Sequence, residues 1–319
     1  MNINFTFSSI SLGVVKLFML MAAGYFTYNR KLVDEIFLDK LSLLLVRVIF
    51  PALIISKIVT HFSFSEYRMW WALPLSAVIF CLAGMGVGAI VFRVLGLKGP
   101  VREFMCASGF QNCGYLPMTL ILFSFTQTVA DKLLIYVFLF VVGFNLLMWS
   151  VIPLFLSREL RKSFRPGHLF TPPVVATVFA LLWVAVFGKE SMPAVIIEPL
   201  GLLGQAAFPL AMMVLGAYLC RYQAHIPENK MPIISGVILK LLLFPVIVIG
   251  VLFFLPLGRD LKFFLFLESI MPSAVSLVIV GAYTGADNRF FSSMIFYSHL
   301  AAIFIIPLWL EVFHLVFKT

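Results

Sequence analysis

Residues 104–125 read FMCASGFQNCGYLPMTLILFSF, an apolar segment whose centre holds two glycines, two amides and a proline. The segment is long enough to cross a bilayer as a helix, which takes about 20 residues. Its proline, Pro117, removes one backbone N–H and clashes with the carbonyl four residues earlier. Because unsatisfied backbone groups are costly in lipid, the polar centre around Gln111 and Asn112 predicts a broken helix that faces a cavity.

A second apolar segment has the same design. Residues 263–283 read FFLFLESIMPSAVSLVIVGAY, with Pro272 at mid-span and Glu268, Ser273 and Ser276 around it. If the two breaks cross, freed backbone amides and half-helix dipoles form a small polar site, and the positive helix ends favour a carboxylate. The two segments together predict a binding site for a small anion.

The whole chain has the composition of a membrane protein. Of its 319 residues, 62% are hydrophobic and 12% are charged, whereas soluble domains are roughly half apolar and a quarter charged. This composition excludes a soluble enzyme, and the continuous apolar runs differ from the alternating strands, about ten residues long, of a membrane β-barrel. We predict an all-α integral membrane protein with ten transmembrane spans, at residues 9–28, 39–59, 69–92, 104–125, 133–156, 172–187, 195–219, 232–254, 263–283 and 290–317.

The basic residues lie mainly in the short loops between these spans. The formal net charge is +9, but positive charge in such loops sets membrane orientation, so nucleic acid is not an expected partner. Lys and Arg concentrate after the odd-numbered spans, which predicts a multi-pass protein of the plasma membrane or bacterial inner membrane with both termini outside. The four cysteines fall within apolar segments, without metal-ligand or disulfide spacing. We expect neither a metal ion nor a cofactor.

The chain divides into two halves that match each other in order. Residues 1–157 and 171–319 flank a basic linker at 158–170, which we predict to be cytoplasmic. Matched prolines lie in spans 2 and 7 (Pro51, Pro209), 4 and 9 (Pro117, Pro272), and 5 and 10 (Pro153, Pro307), with Asn145 and His299 eight residues before the last pair. Each half holds an odd number of spans, so the halves cross the membrane in opposite directions. Such an inverted repeat predicts a transporter with alternating access.

The candidate site residues bring polarity or charge to the breaks. We expect substrate contact at Gln111, Asn112, Tyr115, Pro117, Pro272, Ser273, Ser276 and Arg47. By their spacing, Ser108, Asn112, Tyr115 and Thr119 would share one polar helix face. Glu268 is the candidate for energy coupling, because an ionisable group at mid-membrane is expensive and usually functional.

Each candidate also has a structural interpretation. A mid-span proline is often a tolerated kink, and Asn112 would then only hydrogen-bond a neighbouring helix. Arg47 would extend its charged end to the cytoplasmic surface. Glu268 would pair with a buried cation such as Lys240, and His299 is as readily a core residue as a lining one.

Two motifs carry a resemblance to a known family. Residues 112–117 read Asn-Cys-Gly-Tyr-Leu-Pro and residues 271–275 read Met-Pro-Ser-Ala-Val. With the Phe-Pro pairs of spans 2 and 7, they resemble the auxin efflux carrier family, which includes bacterial organic-acid permeases, plant PIN proteins and the PIN-LIKES. The larger group also contains bile-acid sodium symporters. The resemblance covers nearly all of the chain.

The resemblance implies secondary transport of a small organic anion, such as a carboxylate, by an elevator-like motion. Spans 1, 2, 6 and 7 would form a scaffold with a surface for a homodimer, and spans 3–5 and 8–10 a moving domain in which spans 4 and 9 cross. The family's substrate-binding asparagine corresponds to Asn112. Several plant relatives have a second asparagine where this chain has Tyr115, and their long central loop has no counterpart, so a bacterial-type or minimal member fits better than an auxin carrier.

Other functions share some of these features. A sodium-coupled carrier, similar to the bile-acid symporters, would hold the ion beside Glu268, whereas a proton would bind the carboxyl group itself. We rank proton coupling or electrogenic uniport ahead of sodium. A channel or receptor would reuse the same fold, whereas an enzyme is not expected, because no nucleophile and base converge in the sequence.

Overall fold

The computed structural model describes residues 7–157, 170–222 and 229–317. Within these ranges the regular secondary structure is helical, apart from one isolated β-bridge. The helices are α1 (Phe7–Asn29), α2 (Glu35–His61), α3 (Ala72–Val94), α4 (Val101–Gly109), α5 (Tyr115–Ser124), α6 (Gln127–Leu156), α7 (Pro172–Phe187), α8 (Ala194–Gln205), α9 (Ala207–Tyr222), α10 (Met231–Phe254), α11 (Arg259–Ser269), α12 (Ser276–Thr284) and α13 (Asn288–Val316). The all-α prediction is therefore confirmed.

Seven helical segments in the described ranges are long and apolar enough to cross a membrane. One of these segments consists of α8 and α9 together. The ends of the seven segments differ from the predicted spans by a few residues. The largest difference is at α6, which begins at Gln127 rather than at residue 133. Predicted span 6 forms the shorter apolar helix Pro172–Phe187. Predicted spans 4 and 9 each form two short helices, so the ten-span repeat stays a prediction. Residues 158–169 of the predicted linker lie outside the described residues.

Three long helices contain a five-residue π-helical turn that ends two residues before a proline. The turns are Leu45–Ile49 in α2, Leu147–Val151 in α6 and Leu239–Leu243 in α10, and the prolines are Pro51, Pro153 and Pro245. After each turn a backbone N–H bonds five residues back, as Phe244 does to Leu239. Proline lacks the N–H that would bond four residues back, which frees that carbonyl. In α10 the freed carbonyl of Leu241 accepts a hydrogen bond from Trp309 Nε1 at 2.7 Å.

Helices α1 and α9 pack closely through a reciprocal pair of glycines. A Cβ atom added at Gly24 would overlap the backbone of Met213, and one added at Gly216 would overlap the backbone of Met21. Small residues of this kind let membrane helices approach backbone to backbone, where packing replaces the hydrophobic driving force that lipid does not provide.

The two helix interruptions lie against each other. The first interruption is residues 110–114, between α4 and α5, and the second is residues 270–275, between α11 and α12. The N–H of Asn112 donates to the Pro272 carbonyl at 2.7 Å, and the N–H of Ala274 donates to the Phe110 carbonyl at 2.9 Å. Backbone groups that the helices leave unpaired are therefore satisfied between the two interruptions. This short pairing fixes the position of the site.

Candidate functional site

A cavity of about 650 Å³ lies beside the paired interruptions. Its walls are mostly apolar and aromatic, with Phe50, Met118, Phe138, Phe144, Trp149 and Ile279 among the lining residues. The polar lining residues are Ser42, Gln111, Asn112, Tyr115, Asn145, Thr171, Tyr218 and Ser276. A largely apolar cavity with a few convergent polar groups is typical of a small-molecule site, and this volume lies within the usual range for one.

Two helices begin at the cavity wall. Gly114 and Tyr115 at the start of α5 line the cavity, as do Val275 and Ser276 at the start of α12. The first turn of a helix presents N–H groups without intrahelical partners and carries a partial positive charge. The N-termini of two helices at one cavity therefore favour a ligand with an anionic group.

Asn112 is held in place by a buried histidine. Its side chain is 4% exposed, and its Nδ2 lies 3.2 Å from His299 Nε2. His299 Nδ1 lies 2.8 Å from the Ile295 carbonyl, which can only accept, so Nδ1 carries the proton and Nε2 accepts from Asn112. Asn112 Oδ1 lies 3.5 Å from the N–H of Leu116 in the first turn of α5. The amide keeps a second N–H for a ligand.

The second interruption contributes a framework. Ser273 is fully buried, and its hydroxyl donates to the Ala107 carbonyl at 2.8 Å. Its N–H donates to the hydroxyl oxygen of Ser298 at 3.2 Å. The hydroxyl and the N–H of Ser273 are thus bound within the protein, and the residue is not part of the cavity wall.

Comparison with known proteins shows what kind of protein has this arrangement. Residues 9–165 and 157–310 match the sequence model of the membrane transport protein family. The chain belongs to this family. It is a membrane transporter of the auxin efflux carrier family, as the motifs of the two interruptions indicated.

The alignments with two relatives cover different shares of the chain. It is 26% identical over 160 residues to Protein PIN-LIKES 2 of Arabidopsis thaliana, which covers 46% of this chain and 35% of the plant protein. It is 23% identical over 306 residues to the uncharacterised transporter MJ1031 of Methanocaldococcus jannaschii, which covers 93% of this chain and 96% of the archaeal protein. The match thus spans about a third of the plant relative and nearly all of the archaeal one.

The structure brings four of the predicted contact residues of the transporter together. Gln111, Asn112, Tyr115 and Ser276 line the cavity. The Tyr115 ring packs against Phe50 with a centroid distance of 5.3 Å, which joins the start of α5 to α2. These residues come from both sides of the paired interruptions.

The other predicted contact residues do not line the cavity. Pro117, Pro272 and Ser273 are buried in the backbone framework around it. Arg47 has an exposed side chain in the π turn of α2. Its position follows from the helix geometry, because Val46 and Phe50 face the cavity and Arg47 lies on another face of α2.

Sequence reasoning missed polar residues that come from more distant segments. Ser42 on α2, Thr171 before α7 and Tyr218 on α9 line the cavity opposite the interruptions. None of them lies in a motif, so no sequence signal singles them out. Asn145, which the sequence comparison of the two halves pairs with His299, lines the cavity as well.

Behind the cavity wall lies a buried group of polar side chains. Glu268, Gln111 and Lys240 are each 0% exposed. Among the described residues, the Glu268 oxygens and the Gln111 amide atoms form no hydrogen bond of 3.5 Å or less, although Gln111 lies close enough to act on the Glu268 carboxyl. Lys240 Nζ donates to the Ser108 carbonyl at 3.1 Å. Charges and unpartnered polar atoms this deep in a membrane protein point to function, because their burial is costly.

Proposed function

We propose that this transporter carries small organic anions, carboxylates above all, by alternating access. The observation that supports this proposal is the convergence of two helix starts and the Asn112 amide on one cavity. N–H groups and an amide are hydrogen-bond donors for a carboxylate, and the two helix dipoles add positive potential at the same place.

The rest of the cavity fits the carbon skeleton of such an anion. Aromatic side chains such as Phe138 and Trp149 form apolar walls. Among the described residues, no Lys or Arg side chain lines the cavity. The anion would therefore be held by neutral donors and dipoles, and it would leave more easily than from a full ion pair. A carrier needs this moderate binding, since each substrate must be released on the other side.

An elevator motion in a ten-span inverted repeat agrees with where the cavity lies. One wall comes from α2, the start of α7 and α9, which belong to the predicted scaffold. The other comes from the interruptions and α6, which belong to the predicted moving domain. In this proposal spans 4 and 9 are the interrupted pairs α4–α5 and α11–α12, crossing at residues 110–114 and 270–275. Movement of one wall past the other would carry the substrate across the bilayer.

The cavity would face the cytoplasm in this conformation. Pro153, Leu154, Phe170 and Thr171, on either side of the basic linker, line the cavity, and the basic linker is predicted to be cytoplasmic. Towards the other end of α2, Lys57 forms a 2.6 Å ion pair with Asp131 of α6. That ion pair joins the two walls and would have to break in an outward-facing state. The membrane would be the plasma membrane or the bacterial inner membrane.

Counterflow in proteoliposomes tests the proposal with a panel of mono- and dicarboxylates. We expect saturable uptake that is stimulated by substrate inside the vesicle, because a carrier exchanges across the membrane. Asn112→Ala should weaken binding by tenfold or more, that is about 1.5 kcal/mol or more, since it removes a hydrogen bond to a charged group. Asn229→Ala, which changes an exposed amide that does not line the cavity, is the matched control.

Two results would contradict the proposal. Uptake without stimulation by internal substrate would indicate a channel. Unchanged affinity in a folded Asn112→Ala variant would mean that the helix starts do not form the substrate site.

For energy coupling we propose a proton or no coupling ion, with Glu268 as the residue concerned. Support comes from its full burial beside Gln111, which connects it to the cavity wall. Transport by Glu268→Gln, measured against pH, should lose the pH dependence of the wild type and retain exchange. Wild-type pH dependence in a folded Glu268→Gln variant would exclude Glu268 as the proton carrier.

A further inference from the structure

We infer that a second pocket of the transporter, at the membrane surface, binds the phosphate group of an anionic phospholipid. This surface pocket has a volume of about 410 Å³ and shares no lining residue with the cavity beside the interruptions. Its walls come from residues 66–70 between α2 and α3, from the beginning of α6 and from the beginning of α11. The inference goes beyond the proposed function and does not depend on which substrate the transporter carries.

The surface pocket lies where helices leave the membrane. It is bounded by the connection between α2 and α3 and by the connection between α10 and α11. Tyr67, Trp70 and Tyr136 line it, and Tyr and Trp are enriched where a membrane meets water. Lipid headgroups lie at the same level. By the predicted orientation this is the outer surface, opposite the basic linker.

Both carboxylates that line the surface pocket already have a lysine partner. Lys132 Nζ lies 2.5 Å from Asp260 Oδ2. Lys189 Nζ lies 3.5 Å from Glu66 Oε1. Each negative charge of the wall is therefore accompanied by a positive one, and the two carboxylates do not prevent an anion from binding beside them.

Two arginines of the surface pocket have no such partner. Among the described residues neither Arg68 nor Arg259 forms an ion pair. The Nε atom of Arg259 is buried and has no hydrogen-bond partner there. Buried donors are nearly always hydrogen-bonded, so an unpaired one needs an explanation. A guanidinium group presents its N–H groups in a planar fork that matches phosphate oxygens, and a bound phosphate would supply the missing acceptor.

The beginning of α11 adds positive potential at the same pocket. The helix starts at Arg259, and no side chain caps its first turn, because Gly258 precedes it. N–H groups in the first turn of a helix lack intrahelical partners and attract anions. Gly258, Arg259 and Leu261 all belong to the pocket wall. The helix end and the unpaired guanidinium group therefore favour the same ligand.

Exposed apolar side chains next to both walls favour a lipid over a soluble anion. Met69 and Trp71 are 48% and 54% exposed at the first wall, and Phe253 and Phe254, just before the second, are 59% and 84% exposed. In a membrane these side chains contact acyl chains. A phospholipid with its phosphate between the arginines would gain both the ionic contacts and this apolar contact, whereas free phosphate would gain only the ionic ones.

Thermal unfolding of the purified full chain in detergent tests this site. Phosphatidylglycerol, phosphatidylcholine or sodium phosphate is titrated into the protein at equal ionic strength. We expect phosphatidylglycerol to raise the Tm saturably and at a lower concentration than phosphatidylcholine, whose choline group offsets the phosphate charge. Sodium phosphate should have no saturable effect. Arg259→Gln should raise the phosphatidylglycerol concentration that gives half of the effect about tenfold or more.

Two further variants make the result specific. Arg68→Gln changes an exposed side chain, so it should fold as the wild type does and should weaken the effect of phosphatidylglycerol about threefold or more. Arg93→Gln is the matched control. It removes an exposed arginine in the last turn of α3 that does not line the surface pocket, and its titration should equal that of the wild type.

Four results would overturn the inference. Equal Tm rises with phosphatidylglycerol and phosphatidylcholine would show a general effect of lipid. Wild-type titrations of both Arg259→Gln and Arg68→Gln would show that the surface pocket is not the site. An equal weakening in Arg93→Gln would indicate unspecific attraction to basic residues. A saturable rise with sodium phosphate that leaves no further rise with phosphatidylglycerol would make a soluble anion the ligand instead of a lipid.

Discussion

The two interruptions are alike in backbone and differ in what their side chains do. The first, residues 110–114, presents Gln111 and Asn112 to the cavity. The second, residues 270–275, uses the buried Ser273 hydroxyl and the Pro272 carbonyl to hold the first in place. In the proposed site, the first interruption supplies the side chains that would contact a ligand, and the second supplies the frame. Two motifs that match each other in sequence therefore do not imply two matched roles.

The positions of the prolines account for part of this difference. Pro272 lies inside its interruption, where its carbonyl accepts from the N–H of Asn112. Pro117 lies after its interruption, in the first turn of α5, where a helix tolerates proline because that N–H would have no partner. The first interruption therefore contains polar side chains and no proline, whereas the second contains a proline whose carbonyl holds it against the first.

The largest expected effect comes from filling the closest contact at the first interruption. A Cβ atom at Gly109 would lie 2.5 Å from the Cys81 carbonyl oxygen and 2.9 Å from the Met85 nitrogen, both backbone atoms of α3. Gly109→Ala should therefore destabilise the protein by about 1–3 kcal/mol or more, because α3 and α4 must move apart. Thermal unfolding in detergent measures this.

Gly114→Ala is the control for that prediction. At Gly114 the nearest atom to an added Cβ is Met118 Cε at 4.0 Å, so the variant should fold with an unchanged Tm. Equal stability of the two variants would show that the end of α4 is not tightly packed against α3.

The second prediction separates frame from contact within the second interruption. Ser273→Ala should lower stability by about 1–3 kcal/mol, because the buried Ala107 carbonyl loses its donor. The substrate affinity of the folded variant should stay the same, since Ser273 does not line the cavity. Ser276→Ala should do the reverse, with unchanged stability and an affinity about two- to tenfold lower. A drop in affinity for folded Ser273→Ala would place Ser273 in the binding site.

Much of the site can be predicted from residues near the prolines. Gly109, Gln111, Asn112 and Pro272 are polar or helix-breaking residues inside apolar segments, and in lipid such residues need a reason to be there. The predicted polar face was wrong, because it assumed one continuous helix. The hydroxyl of Ser108 instead bonds within α4, to Phe104, and that of Thr119 bonds within α5, to Tyr115.

What could not be predicted depends on which helices become neighbours. Ser42 and Tyr218 line the cavity because α2 and α9 pack opposite the interruptions. Their own sequences look like any other helix position, so only tertiary packing distinguishes them. The π turns could be predicted only in part. A proline inside an apolar helix indicates a local change in the hydrogen bonding of the helix. It does not indicate that the freed carbonyl will accept a hydrogen bond from a distant side chain such as Trp309.

The last expected effect, as small as that of Ser276→Ala, concerns the support of Asn112 from outside the interruptions. His299→Leu removes the acceptor that fixes the Asn112 amide and should lower substrate affinity about two- to tenfold, less than Asn112→Ala does, because the amide remains but is no longer held in position. Since His299 acts through Asn112, the double variant Asn112→Ala/His299→Leu should bind no more weakly than Asn112→Ala alone. Binding measured for the wild type, both single variants and the double variant gives this coupling energy. If the losses of binding free energy in the two single variants instead add up in the double variant, His299 contacts the substrate independently of Asn112. Substrate contact would then extend beyond the first interruption.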